Sequence, residues 1–222
     1  MTEHATILQA LATENGVGAE VRYRAGQVIL HQGDLSDQVV MLRAGSVKVT
    51  LRNSTDEAGI VLALSSAPDV LGEQAALCGT PRTASVIALT GVTALTVAGA
   101  DFRALVGEHP AAAAAVFGII GRRLRESDQA RLELATHTVA QRVAAQLVAL
   151  APQIGATDAE TGAVRLPLTQ QDLADWAGAS REAIVRTLRL LRGQGVVTTE
   201  RRQIVVQDLA ALQEVSRGDA RA

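Results

Sequence analysis

From Pro110 onward the apolar residues keep helical spacing for longer than an ordinary surface helix sustains. Val116, Ile119, Ile120 and Leu124 share one face, and Leu132, Val139, Val143 and Leu147 extend the signal. Pro110 suits a first helical turn, where its missing N–H leaves no bond unmade. The pattern fits one long dimer helix, or two helices with a break near Thr136. Either way it divides the chain into residues 1–109, a helix over 110–136, and residues 137–222.

Before that helix the pattern is different. Residues 1–18 read as a short helix and a glycine-containing turn. Between Val21 and Val97, short apolar runs alternate with Gly, Asp, Asn and Ser: Val28–Leu30, Val39–Leu42, Ser46–Leu51, Ile60–Leu64, Ser85–Leu89 and Ala94–Val97. Many short strands with turn residues between them predict an antiparallel β-barrel or jelly roll.

After the helix, Gly155 to Gly162 reads as a linker. Beyond Leu166-Pro167 the chain reads as a small α+β unit. Thr169 opens a helix with Asp172 in a capping-box variant, and Gly178 ends it. Ser180 caps the next helix, with Ala183, Ile184, Thr187, Leu188 and Leu191 at helical spacing and Gly195 behind it. Val196–Thr199 and Gln203–Val206 form a hairpin tipped by Glu200-Arg201-Arg202. The fold class expected is α+β: a barrel, a long helix and a winged helix-turn-helix.

Composition removes several classes. Apolar residues make up 48% of the chain and aromatic residues 2%, so the cores must be built from Val, Leu, Ile and Ala. No apolar run reaches the ~18 residues of a membrane span. Met1–Leu11 carries Glu3 and lacks a signal-peptide pattern, so a cytoplasmic location without membrane contact is expected. One cysteine, Cys78, makes neither an internal disulfide nor a thiolate-ligated iron–sulfur cluster. His4, His31, His109 and His137 lack metal-ligand spacing, so neither a metal nor haem is expected. No nucleophile triad, phosphate loop or metalloprotease motif is present, which argues against an enzyme.

Two short helices joined by Gly178-Ala179-Ser180 have the form of a helix-turn-helix. Such a motif sets the second helix in the major groove, its N-terminal residues towards base edges. Here these are Ser180, Arg181 and Glu182, with Arg186 a turn on. Arginine grips guanine with two hydrogen bonds, and a carboxylate accepts from the cytosine amino group. Thr169, Gln170 and Gln171 offer phosphate contacts at the first helix, and Arg201 and Arg202 offer cations at the hairpin tip. From Leu168 to Val206 six arginines face four acids, a local charge of +2 against −2 for the whole chain.

In the strand-rich region, Leu71–Leu77 is followed by Pro81-Arg82-Thr83-Ala84. A short helix opening after Gly72 presents main-chain N–H groups, and Arg82 and Thr83 add a cation and a hydroxyl. Glu73 can accept from a sugar hydroxyl. The set suits a cyclic phosphodiester joined to ribose. Read alone, Glu73 and Arg82 fit a structural ion pair in a turn equally well.

Together these residues resemble the cyclic AMP receptor protein superfamily, which includes the fumarate–nitrate reduction regulators. The resemblance spans nearly the whole chain. It rests on Gly26 and Gly33-Asp34, Gly45 before Val47 and Val49, Gly72-Glu73 with Arg82-Thr83-Ala84, Arg122-Arg123-Leu124, and Gly178-Ala179-Ser180-Arg181-Glu182 with Arg186. It implies a homodimer joined through the long helix, with an effector in the barrel and an inverted-repeat operator in double-stranded DNA, its half-sites similar to TGTGA. RNA polymerase is a further partner of such regulators. By matching position, Gly72 and Glu73 meet the ribose and Arg82 and Thr83 the cyclic phosphate, with Ala84 next to them in the effector site. Ser127 and Asp128 meet the base, one side from each subunit. The ligand so implied is cyclic AMP. Asp128 departs from the usual neutral residue and suits the N1 and N2 donors of guanine, so cyclic GMP is the alternative. A regulator that binds DNA without an effector is the third reading.

Overall fold

The computed structural model describes residues 18–52 and 59–218. The helix expected in residues 1–18, and His4 with it, lies outside the described residues except for Gly18. The chain divides into two compact units: Met1–Arg52 with Ser65–Gln129, and Asn53–Leu64 with Ala130–Ala222.

The N-terminal strands are β1 (Ala19–Tyr23), β2 (Val28–Leu30), β3 (Val39–Ala44), β4 (Ser46–Leu51), β5 (Ile60–Ser66), β6 (Asp69–Leu71), β7 (Ser85–Ala88) and β8 (Val92–Val97). They form two four-stranded sheets, ordered β1-β8-β3-β6 and β2-β7-β4-β5. This is the strand order of a jelly roll, in which neighbours in space are distant in sequence. Strand β3 pairs antiparallel with β8 on one side and β6 on the other.

The run Val39-Val40-Met41-Leu42 is apolar at every position because both faces of its sheet are covered. Val40 and Leu42 pack with Leu30, Val47 and Val86 between the two sheets. Val39 and Met41 face the other way, onto helices α1 (Glu73–Cys78), α2 (Gly99–Glu108) and α3 (Pro110–Thr136). Phe102, Leu105, Ala112, Val116 and Ile119 complete that second layer. Among the described residues no single helix is long and apolar enough to cross a membrane. The helices α2 and α3 meet at a 111° bend, and Phe102, Leu105, Ala112, Ala115, Val116 and Ile119 are the apolar residues they bury in this layer.

The long helical signal resolves into two helices. Helix α3 ends at Thr136, and α4 (Val139–Ile154) begins after Thr138, whose hydroxyl and amide close a capping box with Gln141. This satisfies orphan N–H groups at the new helix start. The second unit continues through β9 (Ala156–Thr157), β10 (Val164–Leu166), α5 (Gln170–Ala177), α6 (Arg181–Gly193), β11 (Val197–Glu200), β12 (Gln203–Val206) and α7 (Leu209–Arg217). Its sheet runs β11-β12-β10-β9.

Two features depart from the sequence expectation. Gly155–Gly162 is not a plain linker: it holds β9 and a turn closed by Asp158. That carboxylate accepts from Thr161 N–H at 3.0 Å, Glu160 N–H at 3.1 Å and Arg165 Nη1 at 2.8 Å. The Thr161 main chain, then Arg165, hold it well below the usual carboxylate range. Helix α7 was not expected at all. Asp208 caps it through Ala211 N–H at 2.9 Å, and it buries Leu212 and Val215.

Phe102 is fully buried in a chain that has two phenylalanines. Phe102→Ala should cost about 3–5 kcal/mol, the usual loss for removing a buried aromatic ring. Urea unfolding measures it, and a loss under about 1 kcal/mol would show that Phe102 is not a core residue.

Candidate functional site

Strand β6 ends at Leu71, and the chain turns through Gly72 into α1. Gly72 has φ +80°, and a Cβ there would collide with Nη1 of Arg82. Only glycine meets both demands. Arg82 is 3% exposed. Its Nη1 donates to Gly72 O at 2.8 Å, its Nη2 to Gln38 O at 2.5 Å and its Nε to Ser36 Oγ at 3.2 Å. All three acceptors are uncharged. Burial draws the guanidinium below its ordinary pKa, with Asp37, Glu73 and Asp34 opposing more weakly.

Glu73, buried at the first position of α1, does not pair with Arg82. It accepts from Arg123 Nη1 at 2.6 Å. Arg123 Nη2 donates to Val70 O at 2.6 Å and to Asp69 at 3.2 and 3.3 Å. The Ser65 hydroxyl also donates to Asp69. Burial works against the Arg123 charge, but Glu73 and Asp69 outweigh it, and its pKa is raised. The structure thus resolves the Glu73–Arg82 alternatives by giving Glu73 a different cation. Arg123 was quoted in the sequence only as part of a motif, and Asp69 was not singled out. One signal was available: Arg123 falls four residues after Ile119, on the buried face of α3.

Arg82 leads into Thr83, which is exposed, and Ala84, which is half-buried. Ser127 and Asp128 lie on an exposed stretch of α3 about one turn past Arg123. Phe117 is 75% exposed on the same helix, with Ile120 and Leu124 also exposed.

In the second unit, Thr169 caps α5 through Asp172 N–H at 3.1 Å, and Asp172 returns a bond from Thr169 N–H at 2.9 Å. Gln170 is half-buried and Gln171 exposed at this start. Gly178, at φ +58°, ends α5. Ser180 Oγ then accepts from Ala183 N–H at 3.2 Å and starts α6. Ile184, Leu188 and Leu191 hold α6 to the core, leaving Arg181, Glu182 and Arg186 exposed. The Glu182 carboxyl is held low by its own main-chain N–H and the Ser180 hydroxyl, with smaller help from Arg181 and Arg186. It is therefore an anion, able to accept but not donate.

Two arginines missed in the sequence belong to this unit's geometry. Arg189 follows Arg186 by three residues and is exposed, so it extends the basic face by a turn. Arg142, 9% exposed, donates to Ala177 O at 2.9 Å and His137 O at 2.7 Å, tying the end of α5 to the start of α4. Arg201 and Arg202 are exposed and form the turn between β11 and β12, whose last pair is Glu200 with Gln203.

A jelly roll with a buried arginine at a short helix, followed by a winged helix-turn-helix, defines a regulator with a sensory and a DNA-binding part. Residues 20–109 match the cyclic nucleotide-binding domain and residues 141–215 the Crp-like helix-turn-helix domain. The cyclic AMP receptor protein of Thermus thermophilus is 30% identical, over 88% of this chain and 87% of its own. The CRP-like cAMP-activated global transcriptional regulator of Mycobacterium tuberculosis is 28% identical, over 85% and 84%. Among solved structures, a CRP-family transcriptional regulator of Thermus thermophilus superposes with TM-score 0.77 at 24% identity, over 89% of this chain and 96% of that one. The c-di-GMP responsive global regulator of Xanthomonas campestris superposes at 0.76 with 20% identity, over 92% and 99%. The chain belongs to the cyclic AMP receptor protein superfamily. It is a transcription regulator with a DNA-binding helix-turn-helix, not an enzyme.

Arg202 has φ +58°, which costs a residue with a Cβ about 1 kcal/mol. Arg202→Gly should raise the stability of the second unit by up to about 1 kcal/mol, read as a higher melting temperature. A lower one would contradict strain at this turn.

Proposed function

We propose that the protein is a homodimeric regulator whose affinity for an inverted-repeat operator is set by a cyclic nucleotide. Cyclic AMP is the first candidate and cyclic GMP the second. Residues 1–109 bind the effector, 110–136 join the subunits, and 137–222 bind DNA, with RNA polymerase as a further contact and the cytoplasm as the site of action. The observation that carries the reading is Arg82, a buried cation whose hydrogen-bond partners are all neutral. A phosphodiester supplies the missing anion, and a charge-assisted bond in a dry site is stronger than one in water. Gly72, Glu73, Thr83 and Ala84 frame the rest of the ligand.

Several observations support the finer assignments. The curated relatives in Thermus and Mycobacterium carry cyclic AMP in their names. Phe117, Ile120 and Leu124 are exposed apolar residues on α3, a face that a second subunit would cover. Ser127 and Asp128 follow on the same helix and are assigned to the base. Arg181, Glu182 and Arg186 are assigned to base edges. Ser180 starts the same helix and is assigned with them, while Thr169, Gln170, Gln171, Arg201 and Arg202 are assigned to the DNA backbone.

Calorimetric titration with cyclic AMP and cyclic GMP tests the effector. Wild type should bind one of them, and Arg82→Ala should lose it at unchanged folding. Asp128→Asn should weaken cyclic GMP alone if the carboxylate grips guanine. Retained binding in Arg82→Ala would remove the phosphate assignment. If wild type binds neither nucleotide, the ligand-independent reading takes over.

The DNA assignment has its own test. Arg186→Ala should lower specific operator affinity by about 1–3 kcal/mol, seen by fluorescence anisotropy, while nucleotide binding stays as in wild type. Lost nucleotide binding in this variant would contradict the division of labour.

A further inference from the structure

Two of the three groups that hold the Arg82 guanidinium are main-chain carbonyls, Gly72 O and Gln38 O. Any side chain at position 38 would supply the same carbonyl. The third is the hydroxyl of Ser36, at 3.2 Å from Nε. Among the described residues it is the one side chain hydrogen-bonded to that guanidinium, and so the one contact a substitution can remove cleanly. We propose that Ser36 is a positioning residue: it fixes the orientation in which Arg82 presents its remaining N–H groups to the effector phosphate. The proposal rests on the cyclic-nucleotide reading above.

The loop that carries Ser36 is fastened without it. Gly33 N–H donates to Arg82 O at 2.8 Å, and Arg82 N–H donates to Asp34 O at 2.9 Å. Beyond Ser36, Asp37 accepts from Arg103 Nη1 at 3.1 Å. A Cβ on Gly99 would collide with the Asp37 carboxylate, so the loop seats closely on the start of α2. The same Arg103 nitrogen donates to Ala76 O at 2.8 Å, tying the loop to α1. Both flanks of Ser36 are thus anchored by other residues, and its hydroxyl is held at a set point.

A guanidinium has five N–H donors in one plane. Here three are taken, one on each nitrogen, which leaves one on Nη1 and one on Nη2 for an anion. Two carbonyls alone let the plane pivot about the line between them. The bond at Nε, on the other side of the group, stops that pivot. The two exocyclic oxygens of a cyclic nucleotide are already distinct, one axial and one equatorial, and with the plane fixed the free donors would favour one of them over the other. Orientation of this kind matters because hydrogen bonds weaken steeply away from linearity.

The test uses the full-length protein with Ser36→Ala, Ser36→Thr and Arg82→Lys. The ligands are the nucleotide that wild type binds, cyclic AMP or cyclic GMP, and the two phosphorothioate diastereomers of that nucleotide. Each diastereomer puts the poorer acceptor, sulfur, at a different exocyclic position. Ser36→Ala should raise the dissociation constant about threefold to tenfold, the range for one lost hydrogen bond. It should also shrink the affinity ratio between the diastereomers. Ser36→Thr, which keeps the hydroxyl, should restore both. In the Arg82→Lys background, which lacks Nε–H, Ser36→Ala should have no further effect. A general loosening of the loop would not move the diastereomer ratio in this way. Wild-type affinity and ratio in Ser36→Ala would overturn the positioning role and leave the effector reading intact. Failure of wild type to bind either nucleotide would overturn the effector reading, and the role of Ser36 with it.

Discussion

The N-terminal unit depends on the bonds made by Arg123. Helix α3 covers its sheet with Ala112, Ala115, Val116 and Ile119, and the next position on that face is a cation. Two carboxylates meet it, Glu73 at 2.6 Å and Asp69 at 3.2 Å, both nearly buried. Neither acid would tolerate burial as an anion without a partner. Asp69 opens β6 and Glu73 opens α1, so one side chain fixes both ends of the segment that turns at Gly72. The Arg82 acceptor, Gly72 O, lies inside that fixed segment. The geometry of the candidate effector site therefore descends from an ion-pair network whose members touch the edge of the sheet and the long helix at once.

Much of the fold was legible because period and punctuation agreed. The apolar runs of β3, β4 and β8, the proline that opens α3, and the glycine between α5 and α6 each follow a local rule. The helix-turn-helix was clearest, since capping at Thr169 and Ser180 and the αL turn at Gly178 are all written in neighbouring residues. Helix α7 escaped because its few apolar residues, Leu209, Leu212 and Val215, make a short signal at the end of the chain. The break between α3 and α4 was ambiguous because apolar spacing continues across it. Thr138 and Gln141, the capping pair that decides it, are not apolar and add nothing to that spacing.

The candidate site was legible in its residue types and not in its pairings. Glu73 and Arg82 are both buried and both belong to the same corner, yet the two do not meet. Sequence places them nine residues apart, which suggests a local pair. The true partner of Glu73 lies fifty residues away, on a helix whose contact with the sheet is a tertiary fact. The same holds for Ser36, forty-six residues from Arg82. Charges near each other in sequence report a shared neighbourhood, while the choice of partner is made by packing.

That pairing has a consequence for how the proposed effector would act. A ligand shifts an equilibrium only by binding one state more tightly than another. Arg82 is fastened to Ser36, Gln38 and Gly72, all within the jelly roll, so a phosphate bound there has a fixed point of support and little leverage on α3. Glu73 is different, because its carboxylate is already engaged by a residue of α3. A ribose hydroxyl donating to Glu73 would share that carboxylate with Arg123 and change the balance of bonds Arg123 makes with Asp69 and Val70. Phosphate recognition would then supply the affinity and sugar recognition the signal. The two tasks fall to two buried charges that the fold keeps apart.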